Sequence, residues 1–258
     1  MRACVSPTSE VRDDLGAAHP GPVRRVVSLV PSLSEAVAVT APGLLVGATD
    51  WCSHPADLAV TRVGGTKNPD VAGIVELGPD LVLANSEENR AADLDALRAA
   101  GLAGWVTSPQ TVPEALDSLG RLLAGCDLPR PGWLDEAALV WAPASTGPRS
   151  SAVVPIWHKP WMALGRDTFA GDVLSRLGID TVLAGDPERY PRISPETVPA
   201  YDVVVLPDEP YAFSGSEWPV PAMVRCVSGR HLTWYGPSLV EARTLLERQL
   251  SSGHPSPP

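Results

Sequence analysis

"RRVVSLVPSLSEAVAVTAPG", residues 24–43, decides the fold. Val26 to Val30 is a short, largely apolar, β-branched run, the pattern of a strand buried on both faces. Directly after it, Ser32-x-x-Glu35 predicts a capping box. The serine side chain would bond the N3 amide and the glutamate would reach back. Strand, turn and helix within ten residues open an α/β unit.

Outward from there the pattern repeats. "LLVGATD" (44–50) predicts a strand ending in a loop. "DVAGIVELGPDLVLANSEEN" (70–89) predicts a short helix, a Gly-Pro stop and a strand at Leu81–Ala84. "RAADLDALRAAG" (90–101) carries Leu94, Leu97 and Ala100 on one face and Gly101 as its stop, and "GWVTS" (104–108) is a strand. Residues 23–110 are therefore expected to form an amino-terminal α/β lobe.

"TVPEALDSLGRLLAG" (111–125) is amphipathic, with Thr111 and Glu114 placed to cap its start. Pro129 and Pro131 must end it, and "WLDEAALVWA" (133–142) resumes as helix. Residues 111–150 thus read as a connecting helical segment. In a second lobe, 151–250, "SAVVPIW", "DVVVLPDEP" and "AMVRCV" predict strands. "TFAGDVLSRLG", "SPETVPA" and "GPSLVEARTLLERQL" predict helices. The fold class is α/β: two lobes on mostly parallel sheets, joined by a helix, with a ligand cleft expected between them. Residues 1–22 and 251–258 are expected as disordered tails.

Composition narrows the function. With 258 residues and 44% hydrophobic content, the chain can bury a sizeable core. A net charge of −10 repels duplex nucleic acid and anionic membranes on average. The cysteines, at 4, 52, 126 and 226, form no CxxC motif and read as free thiols of a reducing compartment. The start of the chain lacks the roughly 7–15-residue apolar run of a secretory signal. No run reaches the ~18 apolar residues of a membrane span. A cytoplasmic protein is expected.

Ligands of parallel sheets meet the loops after the strands' carboxyl ends. Those loops hold the candidate site residues: Ser32; Trp51 and His54; Lys67 and Asn68; Asn85; Trp157, His158, Trp161 and Arg166; Tyr211; Trp234 and Tyr235. Indole rings give large, rigid contact area, so Trp157 and Trp161 line a site or pack where the lobes meet. His54 and His158 have no second ligand at a zinc spacing and read as lone loop histidines, so no metal site is assigned. Arg166 is either a ligand clamp or a partner of a surface acid, and Asp167 reads as a helix cap. GxGxxG after a strand, GxxxxGK[ST] and GxSxG are all missing, and no catalytic residue is assigned.

At this point "RVVSLVPSLSE", "VGATDWCSHP", "VGGTKNPD", "LGPDLVLANSEENR", "TVPEAL" and "LTWYGPSLVEA" resemble the cobalamin and iron-siderophore substrate-binding proteins of ABC importers, the helical-backbone metal receptors. The similarity runs over about residues 24 to 248. It implies two α/β lobes on one long helix and a bulky metal-containing ligand (corrinoid, ferric siderophore or haem) held without being transformed and with no required cofactor. The family is exported, whereas this start shows no export signal. Of the two glutamates that face the permease in exported members, the first position falls on Ala72 and the second on Glu196, which makes docking on an ABC permease doubtful. Two other readings stay open. One is an enzyme or chelatase-like protein in which Cys52, His54, His158 and Asp208 converge. The other is a ligand-sensing regulatory module. An importer receptor exported by an unseen route is a variant of the first reading.

Overall fold

The computed structural model describes residues 11–18, 21–143 and 145–251. The disorder expected at 1–10, 19–20 and 252–258, and the thiol of Cys4, lie outside the described residues, while Ser251 closes the last helix. The chain divides into two α/β units, each built on a parallel sheet, as expected. Among the described residues no helix is long and apolar enough to cross a membrane.

The first unit holds the chain up to Pro109 together with Leu116–Leu134. Its elements are β1 (Val26–Ser28), α1 (Pro31–Thr40), β2 (Leu45–Ala48), β3 (Thr61–Arg62), a hairpin of β4 (Gly64–Gly65) and β5 (Asn68–Pro69), α2 (Val71–Leu77), β6 (Leu81–Asn85), α3 (Ala91–Ala99) and β7 (Gly104–Thr107). The sheet runs β3-β2-β1-β6-β7, every pair parallel. β1 lies at its centre and is buried throughout, which is why its sequence is nearly all apolar. Val27, Leu29, Val63, Ile74, Val82 and Leu97 form the core on one face.

The capping box at Ser32 does not form. The helix begins one residue earlier, at Pro31, with Val30 as N-cap and no side-chain cap. Proline suits that first position, where its missing N–H costs nothing and its φ is already helical. Ser32 is therefore inside the helix and buried, and Glu35 is buried too.

Residues 11–18 correct the expectation of a disordered tail over 1–22. They dock on the edge of β7. Asp14 N–H donates to the Val106 carbonyl (3.2 Å), and the Asp13 carboxylate accepts from Val106 N–H (3.0 Å). Asp14 accepts from Ser108 N–H (2.7 Å) and Ser118 Oγ (2.8 Å) and pairs with Arg121 (2.5 Å). This covers an edge that would otherwise expose unpaired amides.

The second unit holds Gln110–Ala115 and the chain from Asp135. The division falls inside α4 (Val112–Gly125) and α5 (Gly132–Trp141), so residues 111–150 are not a connector of their own. In the first unit Trp105 packs where α4 has Gly125; a Cβ there would come within 2.8 Å of the indole. In the second, Val112 N–H donates to Asp172 (2.8 Å). The cap predicted at the start of α4 is present. The Glu114 carboxylate accepts from Gln110 and Thr111 amides, and Thr111 Oγ1 accepts from Glu114 N–H.

There follow β8 (Ser150–Val153), β9 (Pro155–Trp157), β10 (Met162–Ala163), α6 (Phe169–Arg176), β11 (Ile179–Thr181), β12 (Val203–Pro207), β13 (Val224–Val227), α7 (Gly229–Thr233) and α8 (Leu239–Ser251). The sheet order is β11-β8-β12-β13, all parallel, and β9 and β10 form a separate antiparallel hairpin. The single strand expected over 151–157 is thus two, belonging to different sheets. Residues 194–200 make a turn, not a helix, with Ser194 Oγ bonded to Glu196 at 2.7 Å. The cap of α6 is Thr168, which accepts from Gly171 N–H (3.2 Å), and not Asp167.

Candidate functional site

In the second unit an aromatic pile rises from the core to the surface beyond the carboxyl ends of β8 and β12. At its base Phe213 and Trp218 are buried against Val153, Val204 and Leu206. Trp161 stacks on Phe213 (centroids 5.9 Å apart, planes within 4°) and meets Trp218 edge-on at 5.2 Å. His158 lies 4.4 Å from Trp161 and edge-on to Tyr211 at 5.7 Å, and Tyr211 in turn meets Phe213 at 4.6 Å. Its Nδ1 is 3.4 Å from the Tyr211 hydroxyl. Trp157 completes the pile against Tyr211 at 5.7 Å and is 43% exposed. Each ring is held by another in an offset or edge geometry, so the outermost is presented on a stiff support.

Trp157, His158, Trp161 and Tyr211 are therefore brought together. Arg166 is not part of the pile: Nε pairs with Asp167 at 2.5 Å, which answers its charge locally. Trp234 and Tyr235 are buried. α7 ends at Thr233, and the two rings pack inward. Trp234 sits under the Arg230 guanidinium (5.6 Å) and hydrogen-bonds Glu209, while Tyr235 meets Phe169 edge-on at 5.6 Å. Phe213 and Trp218, both in the long loop between β12 and β13, were missed: Phe213 ends the stretch 207–213 without a polar group to mark it, and Trp218 lies beyond that stretch.

In the first unit Trp51 stands 68% exposed on the loop after β2. Its Nε1 is 3.6 Å from where a Cβ on Gly65 would be, so the indole lies along the β4–β5 hairpin whose turn exposes Lys67 and Asn68. His54, half-buried, has Nδ1 3.1 Å from Ser53 Oγ. Asn85 is not available to a ligand. It is buried, its Oδ1 accepts from the amides of Glu87 (2.8 Å) and Glu88 (3.2 Å), and its Nδ2 donates to Thr107 Oγ1 (3.4 Å). Asn89 ties the same loop to the hairpin by donating to the Thr66 carbonyl (2.8 Å). Ser32 is enclosed in α1.

The carboxyl of Glu88, partly buried in that loop, is pushed up to about 7. Desolvation is the main cause and the neighbouring Glu87 adds to it, while Lys67 opposes. The folded state thus holds the Glu88 proton more tightly than the unfolded chain does. The stability this gives is complete below about pH 4.5, and it is lost as pH rises through about 7. Glu88→Gln should flatten urea midpoints between pH 5 and pH 8 and leave the variant more stable than the parent at pH 8. Parallel profiles for the two proteins would refute the assignment.

Two groupings of reactive side chains among the described residues are not arranged for nucleophilic catalysis. Cys52 is fully buried, with Sγ 2.9 Å from Ser34 Oγ and 3.2 Å from Thr49 Oγ1, and burial pushes its thiol up, away from the reactive thiolate. Ser228, His231 and Glu241 do align, Oγ to Nδ1 at 2.8 Å and Nε2 to Oε1 at 3.0 Å. Yet the next amide, Gly229 N–H, which an acyl-transfer site would aim at a developing oxyanion, donates to the Asp208 carboxylate at 2.6 Å. A negative charge already occupies the place where one must form. Among the described residues no three or more His, Cys, Asp or Glu side chains are grouped to hold a metal.

No protein-family model matches the chain. It is similar to the vitamin B12-binding protein of Vibrio parahaemolyticus, with 24% identity over 185 residues, covering 69% of this chain and 67% of that protein. The vitamin B12-binding protein of Photorhabdus laumondii is 26% identical over 249 residues, 88% of each. Among solved structures, the periplasmic vitamin B12-binding protein BtuF of Vibrio cholerae shares the fold with a TM-score of 0.74 and 19% identity, over 90% of this chain and 98% of that one. Helicobacter pylori CeuE, in a nickel–histidine complex, does so with a TM-score of 0.77 and 14% identity, over 94% and 88%. The periplasmic haem-binding protein RhuT of Roseiflexus has a TM-score of 0.68 and 18% identity, over 89% and 99%. In sequence the chain is similar to vitamin B12-binding proteins, and its fold is that of the periplasmic binding proteins BtuF, CeuE and RhuT.

Proposed function

We propose that the chain is a non-catalytic binding protein for a bulky metal-containing ligand: a corrinoid, a haem or a ferric chelate. The observation that carries this is the graded aromatic pile, anchored on buried Phe213 and Trp218 and ending in exposed Trp157. Stiff rings on a core foundation suit a large preformed ligand, because little side-chain entropy is lost on contact. The names of the relatives point the same way.

The proposal includes a cytoplasmic place of action. The cysteines of the described residues, Cys52, Cys126 and Cys226, are free thiols, which suits a reducing compartment. Recovery of the native protein from the periplasm on cell fractionation would remove this part alone. Docking on an ABC permease is not included. Ala72 lies exposed on α2 where the resemblance expects an acid, and Glu196 is engaged by Ser194.

Titration of tryptophan fluorescence and ligand absorbance with cyanocobalamin, hemin and a ferric siderophore tests the reading. At least one should bind with Kd in the micromolar range or below, about −8 kcal/mol or stronger. Silence across the three, confirmed by calorimetry, would overturn it.

A further inference from the structure

The segment after Glu188 runs alongside β10 as a third strand of the β9–β10 hairpin. Ala163 N–H donates to the Pro191 carbonyl (3.1 Å), Ile193 N–H to the Trp161 carbonyl (3.0 Å), and Met162 bridges Arg192 in antiparallel register. Met162 also pairs with Trp157 across the hairpin. Residues directly opposite in antiparallel strands put their side chains on the same face. Trp157, Met162 and Arg192 therefore form one row. Ile193 and Trp161 pack on the opposite side, into the core.

Both Arg192 and Lys159, two residues after Trp157, are exposed, and neither makes a hydrogen bond or ion pair among the described residues. The other nearby cations are engaged: Arg166 with Asp167, and Arg189 with the Asp167 carbonyl. On a chain of net charge −10, this leaves two uncommitted cations bordering the one exposed ring of the pile.

Resting on the binding function proposed above, we infer that the ligand is anionic: a metal chelate whose acidic groups meet Arg192 and Lys159 while one of its aromatic faces lies on Trp157 and Met162. Arginine suits the task because its planar fork donates two parallel hydrogen bonds to a carboxylate or catecholate. A corrinoid is neutral overall, its one phosphodiester charge balanced by its own cobalt centre, and so gains less from these two cations than a polyanion does. Two ligand types share this chemistry, a porphyrin with carboxylate arms and a compact ferric catecholate.

The test titrates the full chain and its Lys159→Gln/Arg192→Gln variant with hemin, iron(III) tris-catecholate and cyanocobalamin at low and high salt. The inference expects one of the two anionic probes to bind tighter than cyanocobalamin. It expects that preference to fall about tenfold in the double variant and with added salt. Arg192→Lys should recover part of it. Which anionic probe binds separates a macrocycle from a catecholate. Cyanocobalamin binding tightest, or an anionic preference indifferent to both substitutions, would overturn the inference and leave the binding function standing. Failure of all three probes would remove both. The substituted side chains are exposed and unbonded, and an unchanged melting curve confirms that the variants fold.

Discussion

Trp141→Ala is expected to destabilise the second unit by about 3–5 kcal/mol, the usual cost of deleting a fully buried tryptophan. The ring is 1% exposed. Its indole N–H donates to the Leu239 carbonyl at 2.8 Å, at the start of α8, and the Arg243 guanidinium lies 5.8 Å from the ring centroid. Arg243 in turn donates to the carbonyls of Val140 and Pro143, and Arg176 to that of Trp141 itself. One side chain thus joins the end of α5 to the start of α8, and its loss opens a cavity and removes a buried hydrogen bond between the two helices together. Trp141→Phe separates the two effects. It keeps most of the volume and should cost about 0.5–1.5 kcal/mol, the net worth of one hydrogen bond. Urea denaturation of the three proteins decides. An alanine variant within ~1 kcal/mol of the parent would show that the unit closes over the vacancy or does not depend on this joint.

Much of this architecture could be read from single stretches. The run at Val26 and the run at Val203–Pro207 announce themselves because parallel strands are covered on both faces and leave no polar alternation. Thr111 and Glu114 also signal correctly, since a capping box closes within one turn. Ser32 and Glu35 have the same spacing and mislead, because Pro31 starts the helix first. What failed depended on distant partners. Pro155 marks where 151–157 leaves one sheet, but which strand β9 then joins is not local information. Asp13 and Asp14 look like tail residues until Val106, Ser108 and Arg121 are beside them.

The candidate site divides along the same line. Strand-end loops were the right places to look, and Trp157, His158, Trp161 and Tyr211 meet there. Which way a loop residue turns is not local information: Asn85 folds back on its own loop, and Trp234 and Tyr235 face the core. Arg192 enters only through its pairing with Met162, thirty residues away in sequence.

The pile itself allows a sharper separation of binding from stability. Trp157 has a single ring neighbour and is 43% exposed, so Trp157→Ala should change stability by less than about 1 kcal/mol. If its face is the ligand's floor, affinity should nonetheless fall by about 30-fold or more, the scale of an aromatic hot spot. Trp161 is placed differently, between His158 at 4.4 Å, Phe213 at 5.9 Å and Trp218 at 5.2 Å. Trp161→Ala removes the middle of the pile. It should cost about 2–4 kcal/mol of stability and weaken binding as well, because His158 and Tyr211 lose their backing. Trp161→Phe keeps an aromatic face against Phe213 and should recover most of the affinity. Fluorescence titration and thermal melts of the three variants read the two quantities separately. A Trp157→Ala protein that binds every probe like the parent would mean that the exposed ring touches no ligand, and the pile would then be packing alone.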